Sequence, residues 1–230
     1  MYFEHDAQIW QAFPQLRAGL LLMEGVDAPP RAEPQLERFF ARARERLAAG
    51  PESELPEVSA WRRAYSQMGL KPTQYRSAAE ALLRRFRRED ALPALHPLVD
   101  LCNAVSLAFA LPVAVIDLDG VSGFIEVRYA RGDERYMAFS GEEERPDPGE
   151  VIFADADNAV HARRWTFRQS RQSTVSDTTR RALIVSEGMH ASAAADVPAL
   201  IDTIAGEAAR LWGPPLGQTM LSAAEPRWDF

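Results

Sequence analysis

A single cysteine and four histidines are all that this chain of 230 residues offers in thiol or imidazole groups. Cys102 has no second cysteine with which to close an internal disulfide. His5, His96, His161 and His190 are scattered and show no zinc-type spacing, so each reads as a surface or structural residue rather than a metal ligand. No apolar run approaches the ~20 residues that cross a bilayer, so no membrane partner is expected. The opening Met1-Tyr2-Phe3-Glu4-His5-Asp6 lacks the cationic-then-apolar order of a secretory leader, which makes the cytoplasm the expected location. A glycine-rich phosphate loop, a dinucleotide fingerprint and a nucleophile elbow are missing too. Positive charge is in short supply overall: the formal net charge is −7, which argues against sequence-blind binding to long nucleic acid.

The positive charge that exists is clustered. The densest stretch is His161-Ala162-Arg163-Arg164-Trp165-Thr166-Phe167-Arg168-Gln169-Ser170-Arg171-Gln172-Ser173-Thr174. Guanidinium groups, indole and hydroxyls packed so closely are costly to bury without partners. They suit a ligand rich in phosphate, hydroxyl and amide groups. The stretch reads either as the wall of a polar pocket or as a solvated basic hairpin. A second cluster, Arg84, Arg85, Arg87 and Arg88, reads as a solvated helix face or as a contact for an RNA stem.

The hydropathy pattern changes period along the chain. Leu16 to Val26 reads as a buried strand closed by Gly25, followed by a connector stiffened by Pro29, Pro30 and Pro34. Leu36, Phe39, Phe40, Ala43 and Leu47 fall on one helical face. Val58, Trp61, Ala64, Tyr65 and Met68 mark another helix, stopped by Gly69. Ser77-Ala78-Ala79-Glu80 has capping-box spacing. Pro97 opens a helix with a stripe of Leu98, Leu101, Cys102, Val105 and Phe109. After Pro112 the reading is strands, at least six of them. They include Val113 to Ile116, Ile125 to Tyr129 returning through a Gly132-Asp133 turn to Tyr136–Phe139, Val151 to Ala154, Val160 to Trp165 and Ala182 to Val185. Asp196 is expected to cap a closing helix. Gly213-Pro214-Pro215 breaks that helix, and the remainder to Phe230 reads as a loose tail. Helices, then strands, then one helix predict an α+β fold, with residues 1–212 as one domain and 213–230 as its tail.

Three ordered segments resemble a known family. They are Trp61-Arg62-Arg63-Ala64-Tyr65 with Gly69, Lys71-Pro72, Tyr75-Arg76-Ser77 and Glu80–Arg85; then Leu92–Leu107 with Leu111-Pro112 and Asp117-Leu118-Asp119; then Pro148-Gly149-Glu150-Val151 leading to Arg163-Arg164-Trp165 and Arg168-Gln169-Ser170. The chain resembles a freestanding B3/B4 domain, the editing module inside the β subunit of bacterial phenylalanyl-tRNA synthetase. That resemblance implies a mixed or antiparallel sheet flanked by N-terminal helices and one C-terminal helix. It implies tRNA as partner and hydrolysis of the ester on a mischarged tRNA's 3′ end, in trans, including arginine tRNA that carries canavanine, with no metal or organic cofactor. The family's histidine after the Leu-Pro pair is Ala114 here, and its Gly-Gly-Glu-His run is replaced within Trp165 to Ser173. Phenylalanine-type specificity therefore does not carry over.

An aminoacyl ester is already activated, so positioning water and stabilising the oxyanion can suffice. Gln169, Ser170 and Thr174 are the candidates for orienting water or the carbonyl. For substrate binding, Asn103 offers donor and acceptor; its competing role is a local backbone bond. Asp117 suits an α-amino group or a turn cap. Glu150 suits a cationic side chain or a strand-end backbone bond. Arg164 and Arg168 suit phosphate or ribose, Trp165 a base stack or the core, and Ser173 a hydroxyl contact. Glu126 and Glu134 are further acids. A monomer is expected. The competing functional classes are a non-catalytic binder of aminoacyl-tRNA or a free amino acid, and a site for a small amidated metabolite.

Overall fold

The first residues carry a strand and a helix that the sequence pattern did not reveal. In the computed structural model, which describes residues 1–230, β1 (Tyr2–His5) runs into α1 (Ala7–Ala12). Asp6 caps that helix by accepting the Gln8 N–H at 2.7 Å. β2 (Arg17–Glu24) follows, then α2 (Glu37–Ala48), α3 (Pro56–Gln67), α4 (Ala78–Glu89) and α5 (Pro97–Phe109). The expected caps are present: Ser77 Oγ accepts the Glu80 N–H, and Pro97 occupies the first turn of α5. The Arg84–Arg88 run on α4 is tied into ion pairs with Glu52 and Glu89, so the folded protein uses it to hold its own helices.

Strands fill most of the remainder: β3 (Val113–Asp117), β4 (Ile125–Tyr129), β5 (Arg135–Met137), β6 (Glu143–Glu144), β7 (Val151–Ala154), β8 (Ala159–Arg163), β9 (Arg168–Gln169) and β10 (Arg181–Gly188). Then come α6 (Ala193–Leu211), β11 (Gly217–Leu221) and β12 (Arg227–Asp229). One sheet is antiparallel, in the order β11-β2-β10-β3. The other is mixed, in the order β12-β1-β4-β7-β8-β5-β6, with β9 attached to β8. The fold is α+β, as expected.

The antiparallel sheet is covered on both faces, which explains the continuous apolar runs of its two central strands. Leu21, Met23, Ala182 and Ile184 face α5 and α6. Their neighbours Leu20, Leu22, Leu183 and Val185 face the mixed sheet, together with Phe3, Ile125, Val127 and Phe153. The layers are thus helices, antiparallel sheet and mixed sheet, with a core on each side of the middle layer.

Three local expectations are corrected. The segment after Gly213 is not loose: β11 pairs with β2 and β12 with β1, and Leu221 is buried. The strand after Gly132-Asp133 does not return against β4; β5 runs parallel to β8 instead. The cause is Glu134, a fully buried carboxylate that takes the Arg131 and Gly132 N–H groups and the Arg128 guanidinium and bends the chain away. Phe139 lies beyond that strand and is exposed. Finally, Ser192 rather than Asp196 precedes α6; Asp196 lies in its first turns, bonded to Ser192 Oγ and His190 Nε2.

Candidate functional site

The basic stretch folds as a tight hairpin. β8 and β9 pair Ala162 with Gln169 and Arg163 with Arg168, which leaves residues 164–167 to reverse the chain. Arg164 and Trp165 both adopt left-handed backbone, at φ 46° and 61°, a conformation unfavourable for side-chain-bearing residues. The surroundings hold it there. The Trp165 N–H donates to Val151 O at 2.7 Å, the Arg164 N–H to Glu150 Oε1 at 3.1 Å, and the Trp165 ring is completely buried.

Between this hairpin and the ends of β3 and β10 lies a cavity of about 70 Å³. Pro112, Val113, Ala114, Phe153, Ala162 and Val185 give it a mainly apolar wall, and Thr166, Arg168, Gln169 and Glu187 supply the polar groups. Typical ligand sites are larger, ~300–1,000 Å³. That scale admits the tip of a side chain; a nucleoside does not fit.

Glu187 is the group that sequence reasoning missed. It is 2% exposed, at the end of an apolar strand. His5 Nε2 bonds its Oε1 at 2.6 Å, and the Trp165 indole N–H reaches both of its oxygens at 3.0 Å. Trp61 Nε1 donates to its backbone carbonyl. A buried carboxyl group is costly unless its oxygens find such hydrogen-bond partners. Here they come from the N-terminal strand and from the hairpin, so no local pattern announced the residue.

Of the residues singled out from the sequence, Ala114, Trp165, Arg168 and Gln169 converge on this cavity. Gln169 Nε2 donates to Val115 O and Ser173 O, which leaves its Oε1 without a protein partner. Arg168 is half exposed, with a long 3.5 Å contact to Glu144. Trp165 is packed edge-on against Phe13 and Trp61, its ring enclosed in the core. The others lie elsewhere or are committed to the protein. Asn103 is on α5 and does not line the cavity. Asp117 caps a turn through the Asp119 N–H and accepts the Thr179 hydroxyl at 2.6 Å. Glu150 is paired with Arg163 through two hydrogen bonds of 2.8 and 2.9 Å. Arg164 stacks over Tyr75, 4.6 Å from the ring centre, in a separate cleft shared with Glu150. Ser170 and Thr174 donate their hydroxyls to backbone carbonyls. Glu126 is on β4, between β1 and β7 and away from the cavity, and Glu134 is the buried loop anchor described above.

Ser173, His161 and Asp155 form a chain: Ser173 Oγ lies 2.9 Å from His161 Nδ1, and His161 Nε2 lies 3.3 Å from Asp155. The residue types are those of a hydrolase triad. All three are buried and none borders the cavity, so the chain cross-links the sheet. Asp155 is held below the usual carboxylate range: burial pushes it up, but His161 and the Ser122 and Ala159 N–H groups outweigh that.

One group of metal-ligand types is crowded enough to consider. Glu57, His190 and Asp196 hold ligand atoms within 4.8 Å of one another. The Arg46 guanidinium bonds both Glu57 oxygens at 2.7 Å and already provides the cation there.

Together these features define an α+β domain with two facing sheets and a small cavity that presents one buried carboxylate. The family described as the B3/4 domain matches residues 60–198, more than half of the chain, and the chain belongs to it. Among curated relatives, the phenylalanine–tRNA ligase beta subunit of Shewanella oneidensis is 28% identical over 115 residues, covering 50% of this chain and 14% of the relative. That of Nitrosococcus oceani is 33% identical over 78 residues, covering 34% and 10%. That of Solibacter usitatus is 31% identical over 99 residues, covering 43% and 13%. The matched stretches thus span only a small part of each relative. An N-terminal fragment of the phenylalanyl-tRNA synthetase beta subunit from Pyrococcus horikoshii superposes with a TM-score of 0.41 at 13% identity, covering 54% of this chain and 41% of that one. No helix is long and apolar enough to cross a membrane.

Proposed function

We propose that this chain binds the charged 3′ end of a tRNA and hydrolyses the ester of a mischarged one, with the cavity between hairpin and sheets taking the acyl group. The observation that carries this reading is the cavity itself: Ala114 opens space beside a buried carboxylate, Glu187, while Arg168 and Gln169 stand at the rim. Its small volume takes the end of the acyl group's side chain and leaves the terminal adenosine outside, where Arg168 meets the phosphate and ribose.

Glu187 gives the cavity a negative end, which favours an acyl group carrying N–H donors or a positive charge. A guanidino-type analogue such as canavanine, misattached to arginine tRNA, suits that polarity. Gln169 Oε1 is the free acceptor for the attacking water; Ser170 and Thr174 drop out because their hydroxyls are engaged. Water oxygen adds to the ester carbonyl carbon, the acyl C–O bond to the ribose breaks, and the ribose oxygen leaves with a proton originating from that water. Arg168 at the rim favours the negative charge that develops on the carbonyl oxygen. The chemistry needs no metal or organic cofactor.

A panel of tRNAs charged with arginine, canavanine, phenylalanine and small amino acids tests the reading. Ester loss above buffer for at least one, reduced by Glu187→Gln and by Gln169→Ala, is the expected result. No ester loss for any of them removes the hydrolytic reading. The second reading, a binder without turnover, is favoured by Ala114 standing where the family's histidine would be. It predicts retention of charged over uncharged tRNA on a filter with the ester intact.

A further inference from the structure

Two adjacent arginines of the hairpin are treated differently by the fold. Arg163 gives its donors to Glu150 and Glu144. The Arg164 side chain makes no hydrogen bond within the protein, although only 13% of it is exposed. A guanidinium carries five N–H donors, and withdrawing them from water without partners is costly. The nearest carboxylate oxygen is Glu150 Oε2, at 3.8 Å. Glu150 has nothing left to offer. Its Oε1 accepts from Arg163 Nε and the Arg164 backbone N–H, and its Oε2 from Arg163 Nη2 and the Asp147 N–H. Those four bonds use up the roughly four lone-pair sites of a carboxylate.

The unengaged group stands in a cleft of about 160 Å³. Its Cζ lies 4.6 Å over the centre of the Tyr75 ring and its Nη2 points at Glu150, and both of those residues line the cleft. The guanidinium itself therefore borders the space, and none of its nitrogens is sealed off from it. Met68, Leu70 and Val151 supply an apolar remainder, a setting in which a charged hydrogen bond gains strength. Asp147 is the other acid of the lining; it is exposed and belongs to no ion pair. The left-handed backbone at Arg164, pinned through its N–H to Glu150, fixes where the side chain departs. The Tyr75 ring meets Phe167 edge-on at 5.4 Å, and Phe167 lines the first cavity. One aromatic pair is thus the partition between the two hollows.

We propose that this cleft holds one phosphate group of the RNA strand whose acylated end enters the first cavity. The planar guanidinium, lying flat on Tyr75, presents its N–H edge to two phosphate oxygens. The strand crosses the Tyr75–Phe167 partition on its way to the first cavity. This inference rests on the reading of the chain as a binder of a tRNA end, which is what makes the oxyanion a phosphate rather than a carboxylate.

The test is binding of the full chain to a short single-stranded RNA ending in CCA, measured over a series of salt concentrations beside the ester-loss assay. Arg164→Gln should bind about tenfold more weakly, the loss of hydrogen bonds to a charged group. Its plot of log affinity against log salt should be shallower by about 0.7, one phosphate contact on a single strand. Arg164→Lys keeps the charge and loses the fork, so it should keep the parent slope at reduced affinity; it serves alone if Arg164→Gln does not fold. Arg42→Gln, an equal charge change on α2 where Arg42 stacks on Phe109, must bind like the parent. Inorganic phosphate should displace the RNA where acetate at equal ionic strength does not. Parent affinity in the Arg164 variant that folds, or equal displacement by acetate, overturns this inference and leaves the hydrolytic reading standing if the parent still releases the ester. A parent that binds no RNA overturns it as well, and if no ester is lost either, both readings fall.

Discussion

Replacing Trp165 separates a core residue from a ligand platform. The indole is fully buried, meets Phe13 and Trp61 edge-on at about 5 Å between ring centres, and donates to both oxygens of Glu187. Truncating a buried tryptophan to alanine costs about 3–5 kcal/mol in transfer and cavity terms. Leaving the Glu187 carboxylate with His5 as its only remaining side-chain donor adds about 1–3 kcal/mol. The sum is comparable with the whole stability of a small domain, about 5–15 kcal/mol. Trp165→Ala is therefore expected to be largely unfolded or severely weakened. Trp165→Phe keeps most of the ring and loses the donor, for a loss of about 1.5–3 kcal/mol. Urea denaturation at neutral pH, followed by far-ultraviolet circular dichroism, measures both. The Phe substitution should cost less in a Glu187→Gln background, by about 1 kcal/mol, because the unmet acceptor is then neutral. A Trp165→Ala protein within about 1 kcal/mol of the parent, impaired only in binding an RNA end, would refute this reasoning and make the ring a base stack.

Other outcomes follow from the same coordinates. Burial pushes the Glu134 carboxyl up, but the Arg131 N–H, Arg128 and the Gly132 N–H outweigh it and hold it at about 2. Its contribution is complete above its unfolded pKa of about 4.3 and is lost as pH falls toward 2, on the order of 3 kcal/mol. Urea midpoints measured down that range should fall steeply in the parent and less in Glu134→Gln; equal slopes exclude the assignment. Cys102 is buried and its thiol is pushed up by desolvation, so a disulfide reagent should label it only at the rate of opening, and rapid labelling of native protein contradicts that. Residues 217–229 should resist limited proteolysis under native conditions, because they are paired into both sheets; early cleavage after Gly213 would show the pairing to be weak.

What could be read from the chain was what a single element decides for itself. The spacing of Leu36, Phe39, Phe40, Ala43 and Leu47 is enough to specify α2, because one face must be buried whatever it meets. The runs at β2 and β10 are apolar throughout because both faces are covered. β1 gave no such signal: it is four residues long, and one of its two buried positions is a histidine. β12 is shorter still. The site was half legible. Composition drew attention to residues 161–174, but it could not say which cations would be neutralised by Glu144 and Glu150, nor that the left-handed turn would send Trp165 into the core. Glu187 was silent because the bond that explains it comes from a residue 182 positions away.

The two walls of the first cavity differ in how firmly they are built. Glu187 belongs to β10, which pairs with β2 along its whole length and with β3 from Ala182 to Ser186, whereas Arg168 and Gln169 belong to a strand held by two residue pairs to β8 alone. Amide hydrogens around the carboxylate should exchange with solvent only when the whole molecule opens, while those of the rim breathe far more often. On the proposed reading, a fixed bottom under a yielding lip would select for the length and polarity of whatever reaches the end and stay indifferent to what is attached outside.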